Sequence, residues 1–304
     1  MLLDDPVWYI QCGSEGAGID MTTKKDDIPA SPIAPLIVQM LYGTPPALNF
    51  GLLTSKVEEY CGRIDPAYRP AQDADLAQYF MIDAAGEYKG GRLPSQLCLC
   101  RGDSPPDPDR LEKALQQTWD WDEAREAVAS TKHMLIANDL LAAAVEPRLR
   151  NQQFRGFIRA IQEMAPCKAM HWINTQQVVQ PERFTFQQGE PGAQPLYGSI
   201  NVRFFNIQGT TGDCLMDTLG LAVLGFPDIQ CHFRGLQPRD VARTLYNVAY
   251  YVFQSGDVIK DGETVPGVLE NDRWRCQHEM PLVGPERVIL DLDPGAQYAA
   301  GKRA

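Results

Sequence analysis

Met216-Asp217-Thr218-Leu219-Gly220-Leu221-Ala222-Val223-Leu224-Gly225 is an almost unbroken apolar run with one polar pair inside it. Behind it, Pro238 opens a stretch in which Val241, Leu245, Val248, Ala249 and Val252 recur on one side, and Gly256 closes it. Val258-Ile259-Lys260-Asp261-Gly262-Glu263-Thr264-Val265 follows. Without a helical period, residues 214–224 read as a buried core strand. The Pro-initiated stretch reads as an amphipathic helix, because proline pre-sets the first helical φ and the apolar positions follow a 3.6 period. Asp-Gly between two apolar pairs is a strong short-range hairpin signal. Strand, helix and hairpin, with a last strand over 287–292, make this part of the chain α+β.

Moving toward the N-terminus, the same signals repeat. Residues 199–207 alternate weakly as a strand, after a Gln-, Gly- and Pro-rich loop over 181–195. Asn151 is placed to cap a helix carrying Phe154, Phe157, Ile158, Ile161 and Met164, ended by Pro166, with a strand over 167–173 behind it. Further upstream, Leu36-Ile37-Val38-Gln39-Met40-Leu41-Tyr42 suits a strand covered on both faces. Asn49 caps a helix with Phe50, Leu53, Val57 and Tyr60, and Gly62 stands past its end. Strands over 79–84 and 93–101 are joined through Gly86 and Gly90-Gly91. Asp107-Pro108 opens a helix with Leu111, Ala114, Leu115 and Thr118, and residues 132–137 supply another strand. The order is βαββαβ, the ferredoxin-like order. The expected fold is therefore α+β: two consecutive βαββαβ-like halves packed together, with mixed or antiparallel sheets and helices on one face. The first half runs over 34–139 and the second over 140–293, after an irregular strand and loop at 1–33 and before a Gly- and Ala-rich tail, 294–304, expected to fray. No residue-level repeat relates the halves.

Composition narrows the function. At 304 residues, 44% hydrophobic and 22% charged, the chain has the make-up of a soluble globular protein. A formal charge of −11 opposes the phosphate contacts that dominate nucleic-acid affinity, so nucleic acid and anionic membranes are discounted as partners. No basic n-region with an apolar h-region begins the sequence, and no apolar run is long enough for a bilayer. Eight scattered cysteines, several in apolar strand-like stretches such as Leu97-Cys98-Leu99-Cys100, have the pattern of reduced thiols. Together these features imply a cytoplasmic protein.

From about Ile37 to Gly267 the layout resembles a bacterial family defined as domain of unknown function 4261. The carrying residues are Met40-Leu41 with Pro45-Pro46, Trp119-Asp120-Trp121-Asp122-Glu123-Ala124, the strand at His133, Cys167 to Trp172 with Val179 and Pro181, and Asp217-Thr218-Leu219-Gly220 through Asp261-Gly262. The resemblance implies an α+β bacterial cytoplasmic protein and transfers no reaction, cofactor or catalytic residue.

Six residues stand out as candidates for binding or for lining a pocket. Trp119 and Trp121 flank an Asp, so one can anchor a partner while the other fills the core. His171 precedes Trp172 on a strand whose successive side chains face opposite ways; it reads as a general base or, more simply, as a hydrogen-bonded structural residue. Asp217 and Thr218 interrupt an apolar strand, and polar groups in a core are either paired or functional. His232 follows Cys231, but neither this pair nor Cys276-x-His278 nor Cys98-x-Cys100 has the spacing that converges ligands on zinc, so no metal and no cofactor is expected. Gly13-Ser14-Glu15-Gly16-Ala17-Gly18 lacks the lysine of a P-loop, and Gly102-Asp103-Ser104 is followed by prolines where an esterase elbow needs a helix.

The leading expectation is a non-enzymatic protein that binds another protein, with charge complementarity favouring a basic one, and as an immunity-type or accessory protein neutralises a toxin or effector by covering it. The first alternative is a small-molecule enzyme of hydrolase type, with Asp217, His171 or His232 converging in a pocket between the halves. The second is a structural subunit of a larger assembly, which a large exposed apolar patch would mark. Oligomeric state stays open.

Overall fold

The computed structural model describes residues 9–10, 33–68, 70, 76–102, 108–184 and 195–301. The expected loop over 13–32 and the Asp103-Ser104 pair lie outside the described residues. The chain divides into two compact units, one of residues 33–201 and one of residues 202–304 with 1–32. Among the described residues are thirteen strands in two open sheets and five α-helices, an α+β architecture. None of the described helices is long and apolar enough to cross a membrane. The first strand, β1 (Tyr9–Ile10), belongs to the second unit.

The 33–201 unit follows the sequence signals closely. Strand β2 (Ile37–Tyr42) leads to α1 (Phe50–Cys61), where the Asn49 side chain accepts the Leu52 N–H at 3.0 Å, and Gly62 takes φ 101° after the last turn. A long hairpin, β3 (Leu76–Tyr88) and β4 (Gly91–Arg101), is followed by α2 (Glu112–Gln116), α3 (Ala124–Ala129) and β5 (His133–Leu140). Helix α4 (Pro147–Met164), β6 (Ala169–Trp172) and β7 (Gln177–Val179) complete the unit, although the sequence reading gave them to the second half. Asn151 does not cap α4. The helix begins one turn earlier, with Pro147 at its start and the Glu146 carboxylate accepting the Leu149 N–H at 2.9 Å. Asn151 is instead buried inside it, accepting the Ser199 hydroxyl at 2.7 Å.

The sheet order is β3-β4-β5-β2-β6-β7, and every pairing in it is antiparallel. This corrects the ferredoxin-like expectation. In that arrangement a helix links two parallel strands with a third inserted between them. Here α2 and α3 are short and turn the chain back beside β4, so β5 lies between β4 and β2, and β3 ends with two strands between it and β2 and runs opposed to it. The helices also cover both faces rather than one. On one face Phe154 of α4 meets Trp172 edge-on at 5.9 Å and Phe157 meets Tyr79 at 6.0 Å. On the other, Leu41, Ala169 and Val178 pack with Ala114, Trp121, Ala124 and Val128 from the α2–α3 segment. Strand alternation puts Trp172 and Ala169 on opposite faces, so both become buried. Arg150 and Asp139 form a buried ion pair at 2.6 Å on this unit, and Asp139 also accepts the Leu36 N–H at 2.6 Å.

Helices α1 and α4 touch through Gly156, where an added Cβ would lie 2.9 Å from the Tyr60 carbonyl oxygen. Gly156→Ala exchanges a helix-propensity gain of about 1 kcal/mol for an overpacking cost of roughly 1–3 kcal/mol. Because the opposing atom is backbone and cannot rotate away, cost is expected to win, and thermal melts of the variant should show a lower Tm.

The second unit holds β8 (Asn201–Ile207), β9 (Asp213–Leu219), β10 (Asp228–Arg234), α5 (Pro238–Ser255), β11 (Thr264–Pro266), β12 (Arg273–Glu279) and β13 (Ile289–Asp293). Its sheet is mixed, in the order β1-β8-β9-β10-β13-β12-β11, with β1–β8 and β10–β13 parallel. The apolar run quoted first does not stay extended to Leu224: Gly220 takes φ 141°, and a 3-10 turn follows at Ala222–Leu224. Helix α5 buries Val241, Leu245, Val248 and Val252 against β9 and β10. At roughly 1.5–3 kcal/mol per fully buried side chain, this stripe anchors the helix.

The expected hairpin across Asp261-Gly262 is not formed. Val258–Lys260 are not a strand, and β11 pairs instead with β12, Val265 opposite Trp274. The turn at 261–262 is tied to β12 by the Gly262 N–H to Cys276 carbonyl bond, 2.8 Å, and by the Asp261 carboxylate, which accepts the His278 N–H at 2.8 Å. Nor does the segment after Pro294 fray where it is described. Ala299 bridges Phe233, the Ala300 N–H donates to the His232 carbonyl, and Ala300 is buried.

Candidate functional site

A shallow cleft of about 630 Å³ in the 33–201 unit is lined by Trp121, Glu123, Glu126, Ala127, Ser130, Cys167, Lys168, Gln180 and Glu182. Three short segments bring these groups together: the start of α3, the residues leading into β6, and the 3-10 turn Pro181–Arg183 after β7. The last is pinned by Arg183, whose Nη1 donates to the Asp120 carbonyl at 2.8 Å and lies 3.1 Å from its carboxylate, with the guanidinium 5.5 Å from the Tyr197 ring centre. That clamp holds Glu182 near the Trp119–Trp121 turn.

Of the two tryptophans that flank Asp120, one is buried and one exposed. Trp121 is 8% exposed and belongs to the core cluster under α2 and α3, so it is first a core plug; its edge also forms part of the cleft wall. Trp119 is 52% exposed. The cleft is acidic. Lys168, the one cation among the described lining residues, turns to the Ser130 hydroxyl at 3.0 Å. Among the described residues no ion pair engages Glu123, Glu126 or Glu182, whereas neighbouring Glu112 is paired with Arg125 at 2.7 Å. Burial pushes the Cys167 thiol up to about 12, so it is an unreactive wall rather than a nucleophile. The three glutamates were not singled out from sequence; the acidic residues spaced along 122–126 behind the tryptophans were the available signal.

His171 sits outside this cleft, half-buried, with Nδ1–H donating to Gln39 Oε1 at 2.9 Å across the β2–β6 pair. Burial depresses it to about 4. It is therefore neutral in the folded chain at pH 7, a structural histidine rather than a poised base. An unfolded histidine takes up a proton near 6.5, so stability is full above about pH 6.5 and is lost as pH falls from there toward 4. Urea midpoints measured at neutral and acidic pH should therefore draw closer together in His171→Gln than in the native chain.

In the second unit, Asp217 and Thr218 belong to a buried charge network. Asp217 is 0% exposed; it accepts Arg203 Nε at 2.8 Å and Nη2 at 2.5 Å, and Arg287 Nη2 at 2.7 Å. Arg287 continues to Asp228 at 3.0 Å, and Asp228 accepts the Thr218 hydroxyl at 2.8 Å and the Leu221 N–H at 3.0 Å. Burial raises the Asp228 carboxyl, while Arg287 and Thr218 pull it the other way. Loop carbonyls of Val283, Gly284 and Pro285 take the remaining guanidinium donors. Of the two alternatives for a polar group in a core, Asp217 is thus the paired one: two arginines take its oxygens. A row of polar side chains, Asp217, Gln230, Asp291 and Gln277, crosses β9, β10, β13 and β12 at paired positions.

A second concave site, of about 450 Å³, is lined by Asp257, Val258, Ile259, Lys260, Asp261 and His278. His232 lies elsewhere, its ring packed against Gly301.

Residues 217–293 match the model of a domain of unknown function, DUF4261. No curated protein and no solved structure matches the chain. The DUF4261 segment begins at Asp217 and ends with β13, so it contains α5, the Asp217–Arg287–Asp228 core of the charge network, and the concave site around His278. The resemblance traced from Ile37 is carried in the family match from Asp217 onward, while the acidic cleft lies before the matched residues. Asp217, His171 and His232 line neither concave site, so the constellation that the hydrolase reading required is not assembled in either.

Proposed function

We propose that this chain is a binding protein that receives a basic segment of another protein in the acidic cleft beside Trp119 and Trp121, and that in a bacterial cytoplasm it acts as a neutralising, immunity-type or accessory protein. One observation carries the reading: Glu123, Glu126 and Glu182 ring a concave surface and form no ion pair among the described residues, on a chain of net charge −11. Unpaired carboxylates at a rim gain most from an incoming cation and raise the encounter rate with a basic partner. The indole edge of Trp121 and the exposed face of Trp119 add the aromatic contact that lysine and arginine favour. Covering a partner by this means needs no catalytic group.

The test is affinity capture of the tagged chain at native level from the cell that makes it, read by mass spectrometry at low and moderate salt. A single stoichiometric basic partner, lost as salt rises, is the expected result. Recovery of the chain alone at low salt would refute the proposal.

A further inference from the structure

The two faces of the six-stranded sheet are covered unequally. The face that Tyr79 and Trp172 turn to α4 is fully buried along every strand, and the alternate residues on the opposite face are mostly half-buried. Helices α2 and α3 pack on the Leu41, Ala169 and Val178 end of that second face. Beyond this end the strand register sets Gln78, Gln96, Asn138, Ile136, Gln39 and His171 side by side, all of them half-buried. Leu76, Leu140 and Ile173 stand at its margins, 49%, 39% and 39% exposed. Where β3, β4, β5, β2 and β6 pair, no side chain on this face is an Asp, Glu, Lys or Arg, and burial keeps His171 neutral at pH 7, although the chain carries −11. Its polar groups are amides, with Gln78 Nε2 donating to Gln96 Oε1 at 2.6 Å and Gln39 Oε1 accepting from His171 Nδ1 at 2.9 Å.

We propose that this uncharged sheet face is the interface between two copies of the chain. Two chains of −11 repel each other, so self-association costs least where neither brings a charge to the contact. A two-fold contact sets one patch against itself and must therefore be self-complementary. Apolar side chains meet that condition, and so do amides, which carry donors and acceptors together. A basic or an acidic partner would find no counter-charge on it. With strands about 4.8 Å apart and same-face residues about 6.7 Å apart along them, three rows across five strands cover about 500 Å² per copy, or about 1,000 Å² in the pair. That area is at the low end for a specific interface, so the dimer is weak and depends on concentration.

The experiment is sedimentation equilibrium of the full chain from about 1 to 300 µM, at low and moderate salt. A monomer–dimer equilibrium within that range is expected. It should tighten as salt rises, because screening weakens the repulsion between like-charged chains and leaves the uncharged contact alone. The basic partner of the acidic cleft has the opposite salt dependence, so the two associations are told apart. Leu76→Glu with Leu140→Glu, both at exposed positions, sets like charges in the contact and should weaken the dimer about tenfold or more. Leu269→Glu, at a residue 51% exposed in the other unit, should leave it unchanged. A native chain that stays monomeric throughout, or a dimer that loosens as salt rises, would overturn the proposal whether or not the variants fold. A folded double variant that dimerises as tightly as the native chain would do the same.

Discussion

Asp217→Ala is expected to cost the 202–304 unit about 3–5 kcal/mol, the loss typical when one partner is removed from a buried ion pair. The magnitude follows from what is left behind. Arg203 and Arg287, both buried, would face each other across an empty site with no solvent to screen them; Arg287 would keep Asp228, while Arg203 would keep the Gly284 carbonyl but lose its carboxylate. Arg203→Met should cost less, because Asp217 would keep Arg287 at 2.7 Å. Urea denaturation followed by the assigned indole NMR signal of Trp274, which is buried in this unit, reads it. At an m-value of about 1–3 kcal/mol/M, the Asp217→Ala midpoint should fall by 1 M or more. A midpoint within error of the native chain would mean that the network contributes nothing, and that Asp217 is free for another role.

The second large effect concerns binding. Glu123→Lys, Glu126→Lys and Glu182→Lys combined should weaken the partner about 10- to 100-fold, because each exchanges an attraction for a like-charge repulsion at the same rim position. All three residues are exposed, so the fold should survive the change. Trp121→Ala would be a poor substitute test, since it empties the core under α2 and α3 as well as the cleft wall. The loss should appear mainly in the association rate, where steering acts, and should shrink as salt screens the rim.

Local signals were legible wherever one residue dictates backbone geometry. Asn49, Gly62, Pro238 and Gly256 each mark the helix boundary that forms. Tertiary pairing was not legible, because strand order depends on which connection is short enough to return a strand beside its predecessor; the brief α2–α3 excursion placed β5 next to β4 and broke the ferredoxin-like pattern. Asp261-Gly262 misled for a related reason. The turn was real, but the Asp261 carboxylate was committed to His278, and β11 found its partner in β12, whose buried Trp274, Cys276 and His278 alternate with polar residues and show little apolar signal. At the candidate site, it was legible that one of Trp119 and Trp121 is buried and the other exposed, because they flank a single Asp between two helices; which one is buried was not. The glutamates around them were not legible either, since Glu182 arrives from 56 residues beyond Glu126 through the Arg183–Asp120 clamp. The buried arginines were missed although Asp217 demanded a partner; Arg203, inside Asn201-Val202-Arg203-Phe204-Phe205, was the residue to ask about.

The central claim is that the acidic cleft is where a basic partner docks. Its most direct test is the association rate of the captured partner with the native chain and with the Glu123→Lys, Glu126→Lys, Glu182→Lys variant, measured across a salt series. A native rate that falls steeply with salt, and a variant rate that is slow and nearly flat, is the predicted result. Equal rates with equal salt dependence in the two proteins would contradict the claim and place any docking surface elsewhere on the chain.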